Sequence, residues 1–130
     1  MGFVQSQREA GEKKDFMALV YKICPAADWE RACLSGVYEG SAVDHRDGFI
    51  HLSTAAQVRE TARRHFAGQE GLVLAVFDAE AIGDALVWEK SRDGQLFPHV
   101  YGTLVTAMAA NVEPLPLEES GHIFPASIPK

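Results

Sequence analysis

A run of apolar residues from Leu72 to Phe77 restricts the fold of this chain more than any other segment. Such a run is typical of a strand in the centre of a sheet. The preceding segment, Ala55 to Phe66, carries apolar side chains at helical spacing, and Thr54 and Gln57 have the spacing of a capping box. The sequence therefore predicts a helix followed by a central strand.

Shorter patterns predict the remaining elements. A helix is expected from about Asp28 to Leu34, with Trp29, Cys33 and Leu34 facing inward. The segment from Glu39 to Asp47 is rich in charged residues and is predicted to be a polar loop. Further strands are predicted at Ala18 to Ile23, Phe49 to Leu52, Leu86 to Glu89 and Leu104 to Val112.

The order of these elements determines the expected fold class. The few helices do not alternate strictly with the short strands, which predicts an α+β fold. Because Pro98 has no backbone N–H to donate, the segment from Phe97 to Gly102 is not expected to hold a central strand position. Residues 1–16 are polar and predict a flexible N-terminal arm, and residues 17–130 are expected to form a single α+β domain. Met17 is an alternative start.

Composition argues against several classes of protein. The net charge of −6 disfavours broad nucleic-acid binding, which requires a basic surface. No apolar run is long enough to span a bilayer, and the N-terminus lacks the pattern of a secretory signal. A cytoplasmic location without membrane contact is therefore expected. The two cysteines, Cys24 and Cys33, are predicted to be buried and reduced.

The strand-to-helix junction from Gly48 to Thr54 has several side chains that could bind a ligand. His51 ends the predicted strand, and Ser53 and Thr54 add hydroxyl groups at a helix start with free backbone N–H groups. This arrangement suits an anionic or polyhydroxyl ligand. The alternative is structural: His51 is a partly buried residue that hydrogen-bonds to backbone, while Ser53 and Thr54 cap the helix. The sequence leaves both interpretations open.

Glu89 is the second candidate. It lies in a predicted strand with apolar neighbours, so we expect it either at a sheet edge or buried with a partner. A carboxylate there could hold a ribose hydroxyl or stabilise a developing oxocarbenium ion. The alternative is an exposed edge residue that pairs with Lys90 or Arg92.

His99 and Tyr101 follow in a segment that Pro98 makes stiff, which suits side chains whose direction matters. Tyr101 could stack on a ligand ring, and the alternative is a turn with a core tyrosine. His65 lies on the apolar side of the predicted helix and is expected to be a core histidine. No pair of histidines or cysteines shows zinc-binding spacing, so no metal is expected.

These motifs together resemble those of domain-of-unknown-function family 952, a mainly bacterial family. The match runs in order from about Tyr21 to Val112. The resemblance implies an ADP-ribosyltransferase-like fold, with two small sheets around a cleft and few helices. The matching stretches are Asp47 to Thr54, Gln57, Thr61-Ala62, Trp88-Glu89 and Phe97 to Gly102.

A more distant likeness connects the chain to the RNA 2′-phosphotransferases of the same superfamily. Their histidine-leucine-serine strand end, followed by a helix and an apolar strand, is similar to the stretch from His51 to Asp78. This likeness implies that His51 and Ser53 contact the adenosine-diphosphate-ribose part of NAD. Basic residues precede the motif in those enzymes, whereas Gly48 and Phe49 precede it here. A 2′-phosphorylated RNA substrate is therefore not expected.

The residues and the resemblance lead to one main hypothesis and two alternatives. The main hypothesis is a cleft for a nucleotide of the NAD or ADP-ribose type in an ADP-ribosyl- or glycosyl-transfer enzyme, with Glu89 and His99 as catalytic residues. The first alternative is a non-catalytic module that binds a small nucleotide or metabolite. The second is a hydrolase-like metal site of His51, His99 and Glu89. The cofactor-binding residues in the main hypothesis are His51, Ser53, Thr54 and Tyr101.

Overall fold

The computed structural model describes residues 18–91 and 94–128. The predicted flexible arm over residues 1–16 and the alternative start at Met17 lie outside these residues and stay predictions. Arg92, one of the partners considered for Glu89, also lies outside them.

The described residues form short strands and a small number of helices. In chain order they are β1 (Leu19–Pro25), α1 (Ala26–Ser35), β2 (Val37–Tyr38), α2 (Ala42–Asp47), β3 (Ile50–His51), β4 (Ser53–Thr54), α3 (Ala55–His65), β5 (Leu72–Asp78), α4 (Ala79–Ile82), a 3-10 turn (Gly83–Ala85), β6 (Leu86–Lys90), β7 (Leu96–Val100), β8 (Leu104–Val105), a second 3-10 turn (Thr106–Met108), β9 (Asn111–Leu115), β10 (Leu117–Glu118) and β11 (Gly121–His122).

The strands form several small antiparallel sheets. The largest has the order β9-β5-β1-β4, and a three-stranded sheet has the order β3-β7-β6. Strands β2 and β8 pair with each other, as do β10 and β11. Several antiparallel sheets with few helices confirm the predicted α+β class. No helix in the described ranges is long and apolar enough to cross a membrane.

The largest sheet has an apolar cluster on each face. On one face, Val20 and Phe77 pack with Trp29 of helix α1. On the other, Leu74 packs with Val58 of helix α3. Alternating side chains along β1 and β5 enter both clusters, so the sheet is covered on both faces, as the apolar run in β5 predicted.

Helix α3 begins as the sequence predicts. Gln57 Oε1 accepts a hydrogen bond from the Thr54 backbone N–H at 3.0 Å, which is half of the expected capping box. Val58 and Ala62 are buried on the predicted face. His65, however, is exposed, so the expectation of a core histidine is wrong. Residues 63–65 are all exposed because the buried face ends before the last turn of the helix.

Helix α1 differs from the prediction in its inward face. Trp29 and Ala32 are the buried residues, whereas Cys33 and Leu34 are exposed. Residues three positions apart share a helix face, and Cys33 and Leu34 lie on the side turned to solvent. Cys24 is buried as predicted, and burial raises the pKa of its thiol to about 11. The expectation that Cys33 is buried is wrong.

The segment predicted as a polar loop contains helix α2. Ser41 Oγ accepts from the Asp44 N–H at 3.3 Å, and Asp44 Oδ2 accepts from the Ser41 N–H at 2.9 Å. This reciprocal capping offsets the weak apolar pattern of the segment. Gly48 ends the helix with a φ of 88°, a conformation that favours glycine.

Two strand predictions also change. Strand β7 is central in its sheet, so the expectation about Pro98 is wrong. The Pro98 carbonyl accepts a hydrogen bond from the Leu52 N–H at 3.0 Å. Because Pro98 has no N–H, only the bond from Pro98 back to Leu52 is missing, and Leu52 lies directly after the end of β3. The predicted strand from Leu104 to Val112 divides into β8 and the start of β9, because the two parts pair with different strands.

Candidate functional site

Strands β3 and β7 place two histidines side by side. His51 and His99 are directly opposite each other in the register of the antiparallel pair. Their ring centroids are 5.5 Å apart, with one ring edge directed toward the face of the other. The side chain of His51 is 34% exposed and that of His99 is 5% exposed. The two rings therefore differ in their access to solvent.

Asp44 of helix α2 holds His51 in position. Its Oδ1 lies 2.6 Å from His51 Nδ1 and accepts from the His51 backbone N–H at 3.1 Å. Its Oδ2 accepts from Lys22 Nζ at 2.8 Å. The Ser41 capping bond also ends on Oδ2. Because this buried carboxylate receives hydrogen bonds on both oxygens, it is a rigid support for the His51 ring.

Lys22 is a charged residue inside an otherwise apolar strand. It is buried in β1, donates to Asp44, and donates to the His51 carbonyl at 3.1 Å. Burial raises the pKa of Asp44, but the hydrogen bond from His51 and the charge of Lys22 outweigh it and hold that pKa well below its usual range. Lys22 and Asp44 therefore form a buried ion pair beneath His51.

Glu89 supports His99 in the same way. It lies on β6, the edge strand of the three-stranded sheet, and its Oε1 is 2.7 Å from His99 Nδ1. The Tyr101 hydroxyl donates to Glu89 Oε1 at 2.8 Å, with Oε2 at 3.0 Å. Hydrogen bonds from His99 and Tyr101 lower the pKa of Glu89, and the same carboxylate raises the pKa of Tyr101. Glu89 thus lies at a sheet edge, and its hydrogen-bond partners are His99 and Tyr101.

Phe49 completes the arrangement. Its ring stacks on His99 with centroids 4.0 Å apart, and it lies 4.6 Å from the His51 ring and 5.3 Å from the Tyr101 ring. Aromatic side chains at these separations attract one another and fix their relative orientation. We name the surface formed by Phe49, His51, Glu89, His99 and Tyr101 the paired-histidine face.

Asp47 borders this face at the end of helix α2. Its Oδ2 lies 2.9 Å from His51 Nε2, and its Oδ1 accepts from Arg46 Nε at 2.9 Å. The Arg46 hydrogen bond lowers the pKa of Asp47, and His51 acts in the same direction. His51 therefore has a carboxylate near each ring nitrogen.

The structure brings His51, Glu89, His99 and Tyr101 together, but it directs Ser53 and Thr54 toward helix α3. The buried Ser53 Oγ lies 2.8 Å from Thr61 Oγ1. Thr54 is the N-terminal cap of α3. The Ser53 hydroxyl is thus used within the fold, and a ligand-binding role for Ser53 and Thr54 stays a prediction.

Sequence reasoning missed Lys22 and Asp44 as parts of the site. The signal for Lys22 was a lone charge in the apolar strand β1. The signal for Asp44 was the spacing of Ser41 and Asp44, a capping box that places a carboxylate in the first turn of a helix. Phe49 was not among the predicted site residues either.

Within residues 18–91 and 94–128, no group of three or more histidine, cysteine, aspartate or glutamate side chains stands where it could hold a metal ion. The hydrolase-like metal site of His51, His99 and Glu89 is therefore not formed. A concave region of about 420 Å³ lies between helix α3 and the β10–β11 hairpin, away from the paired-histidine face.

Fold and site define a class: an α+β protein of small antiparallel sheets that carries two carboxylate-supported histidines on neighbouring strands. The chain belongs to the family described as "Protein of unknown function (DUF952)", whose family model matches residues 23–112. This confirms the family that the sequence motifs predicted.

Solved structures of one bacterial protein are similar to this chain. The crystal structure of protein CC0527 from Caulobacter crescentus is 46% identical, covers 80% of this chain and 91% of its own, and has a TM-score of 0.77. The solution NMR structure of CC0527 is 46% identical, with 80% and 90% coverage and a TM-score of 0.72. No curated protein sequence matches the chain significantly.

Proposed function

We propose that the paired-histidine face binds a small nucleotide of the NAD or ADP-ribose type and that the protein transfers the ribosyl group of this ligand. The observation that carries the proposal is the state of Glu89. Its side chain is 38% exposed, and hydrogen bonds from His99 and Tyr101 lower its pKa, so it stays ionised at neutral pH. An ionised carboxylate beside aromatic rings suits a ligand that carries or develops positive charge.

The expected roles follow from the chemistry of ribosyl transfer. Breaking the bond between the ribose C1′ and the nicotinamide nitrogen gives C1′ oxocarbenium character, which the Glu89 carboxylate would stabilise. Tyr101 is exposed and would stack on a ring of the ligand. His51 would hold a ribose hydroxyl or a phosphate oxygen. His99 would fix the direction of Glu89.

The architecture and the overall charge are compatible with this proposal. Several small antiparallel sheets with few helices fit the ADP-ribosyltransferase-like fold that the family resemblance implies. The net charge of −6 favours a small ligand over an extended nucleic acid. Shared architecture alone is a weak reason to assign a reaction, so the proposal depends mainly on Glu89 and its partners.

A binding module without chemistry is the second candidate. Both oxygens of Glu89 already accept hydrogen bonds from the protein, since Tyr101 reaches Oε1 and Oε2. In this candidate function Glu89 supports His99 and has no part in a reaction. In that case the same nucleotide would bind and leave unchanged.

Thermal denaturation with added NAD or ADP-ribose tests binding first. A ligand at 100 times its Kd should stabilise the protein by about 2.7 kcal/mol. Loss of this effect in Tyr101→Ala, together with its retention in Tyr101→Phe, would assign the ring of Tyr101 to binding. His122→Ala is the control, because His122 Nε2 contacts the Gln69 carbonyl and lies outside the face.

Release of nicotinamide from NAD, measured by chromatography, then separates the two candidates. We expect Glu89→Gln to bind NAD but release no nicotinamide, because glutamine keeps the hydrogen-bond acceptor and removes the charge. Binding without release in the unmodified protein would establish the module instead. Absence of stabilisation by either nucleotide would overturn both.

A further inference from the structure

The two histidines share a feature that ribosyl transfer does not use. In each ring Nδ1 faces a carboxylate, Asp44 for His51 and Glu89 for His99. An ionised carboxylate only accepts hydrogen bonds, so each Nδ1 carries a hydrogen and proton exchange with a ligand takes place at Nε2. Asp47 Oδ2 lies 2.9 Å from His51 Nε2, so this nitrogen also carries a hydrogen and His51 is the ring that can donate one. In the described structure the polar contact of the His99 ring is the one from Nδ1 to Glu89, so Nε2 is the nitrogen of this ring that can accept a proton.

The separation of the rings suits one reacting centre between them. Ring centroids 5.5 Å apart keep the rings close enough for their Nε2 atoms to reach different oxygens of one tetrahedral group. Two such nitrogens can remove a proton from one oxygen while they deliver a proton to another. This is the requirement of hydrolysis at phosphorus, where water attacks and an alkoxide leaves.

We propose that His51 and His99 form a proton-transfer pair that hydrolyses a phosphodiester of a small nucleotide. One ring is neutral, and its Nε2 accepts a proton from water as the water oxygen bonds to phosphorus. The bond from phosphorus to the leaving ribose oxygen breaks with its electron pair, and that oxygen takes the proton from Nε2 of the other, protonated ring. The product is a phosphomonoester with a free hydroxyl. Exchange with solvent then removes the proton from the first ring and returns one to the second.

The charges around the paired-histidine face favour a diester over a monoester. With both rings neutral, the ionisable groups at the face have one negative charge in excess, and a single protonated ring cancels it. A diester carries one negative charge and a monoester carries almost two at neutral pH. The basic residues are each already paired with a carboxylate. The charged groups counted are Asp44, Asp47, Glu89, Lys22 and Arg46.

The aromatic residues account for the nucleoside part of the substrate. Phe49 borders both histidine rings, and Tyr101 is exposed beside them, so a nucleobase can stack there while the phosphate lies over the imidazoles. The net charge of −6 limits the substrate to a small nucleotide. In this reaction Glu89 positions His99 and has no role in stabilising charge on the ribose.

Adenosine 2′,3′-cyclic phosphate is a suitable probe because it is a small diester with one negative charge. We expect the full chain to convert it to adenosine monophosphate, detected by chromatography. His51→Ala and His99→Ala should each lower kcat at least about 100-fold, the contribution typical of a positioned acid or base. His122→Ala, the matched histidine control, should retain the rate.

The pH profile provides a readout that a structural role would not change. One ring must be neutral and the other protonated, so kcat/KM should be bell-shaped, and His51→Ala should remove one limb. The titratable groups around the rings are Asp44 and Asp47 from α2, Glu89 from β6 and Tyr101, and Lys22 from β1 donates to the His51 carbonyl.

The outcomes separate this inference from the proposed ribosyl transfer. Absence of hydrolysis by the unmodified protein, or an unchanged rate in His51→Ala, would overturn the proton-transfer pair. His51 is the deciding position if the buried His99→Ala variant does not fold. Glu89→Gln should abolish nicotinamide release but only reduce diester hydrolysis, because glutamine still accepts from Nδ1. Stabilisation by NAD without diester hydrolysis would leave the ribosyl proposal standing and refute this one.

Discussion

Asp44 shows how a single residue organises this site. It is 2% exposed, and its two oxygens accept from Lys22, from His51 and from the Ser41 backbone. A buried carboxylate is costly to desolvate unless such partners compensate for the lost water. The charge of Lys22 and the position of His51 therefore both depend on Asp44.

Asp44→Asn should destabilise the protein because it leaves the Lys22 charge buried without its counterion. We expect the free energy of unfolding to fall by about 3 kcal/mol at neutral pH, measured by urea denaturation. Asp28→Asn is the control, because Asp28 forms an exposed ion pair with Arg31. That change should stay within about 0.5 kcal/mol. Equal effects of the two substitutions would contradict a special role for Asp44.

The stability of Asp44→Asn and that of the unmodified protein should respond differently to acid. The pKa of Asp44 is lowered in the folded state, so its stabilising contribution is complete above the unfolded value of about 3.9 and is lost as the pH falls through the folded pKa. The difference in unfolding free energy between Asp44→Asn and the unmodified protein should therefore shrink below about pH 4.

At the scale of elements, the chain passes from one sheet to another within a few residues. Strand β3 pairs with β7 in the three-stranded sheet, whereas β4 pairs with β1 in the largest sheet. Leu52 connects them and is buried. This change of sheet explains why His51 faces His99 while Ser53 faces helix α3.

Ser53→Ala tests this division. The hydrogen bond between Ser53 and Thr61 joins β4 to α3, so we expect a loss of about 1 kcal/mol in unfolding free energy and no change in ligand affinity at the paired-histidine face. A double-mutant cycle with Thr61→Val should show a coupling of at least about 0.5 kcal/mol. A weaker affinity for NAD in a folded Ser53→Ala protein would show that Ser53 contributes to ligand binding.

The whole molecule is organised by the largest sheet, which carries one apolar cluster on each face. Helix α1 covers one face and helix α3 covers the other. The three-stranded sheet with the histidines lies beside the α1 cluster, because Ile50 and Val100 belong to it. The strands that carry the two histidines are therefore anchored in the core by their neighbouring residues.

Two leucine substitutions measure the contribution of this core. Leu74→Ala creates a cavity in the sheet, since Leu74 is 1% exposed, and should cost about 2 to 5 kcal/mol. Leu34→Ala is the matched control, because Leu34 is 90% exposed, and should change stability by less than about 0.5 kcal/mol. Thermal or urea denaturation checks both. A large loss in the Leu34 variant would indicate that this exposed side chain is buried in solution.

Local patterns predicted β5, helix α3 and the family correctly, because each depends on residues that are close in the chain. The apolar run from Leu72 to Phe77 required burial on both faces, and the pair Thr54 and Gln57 marked the start of a helix. The prediction for Pro98 failed because the cost of a missing N–H depends on where the partner strand ends, which lies far away in sequence.

By itself, the sequence determined the α+β class, the central strand and the family. Only the tertiary structure decided which residues support His51. Lys22 and Asp44 lie 22 residues apart in the chain, and Lys22 and His51 lie 29 apart. Their contact depends on strand register and on the packing of helix α2, and local preferences of the chain contain no information about either.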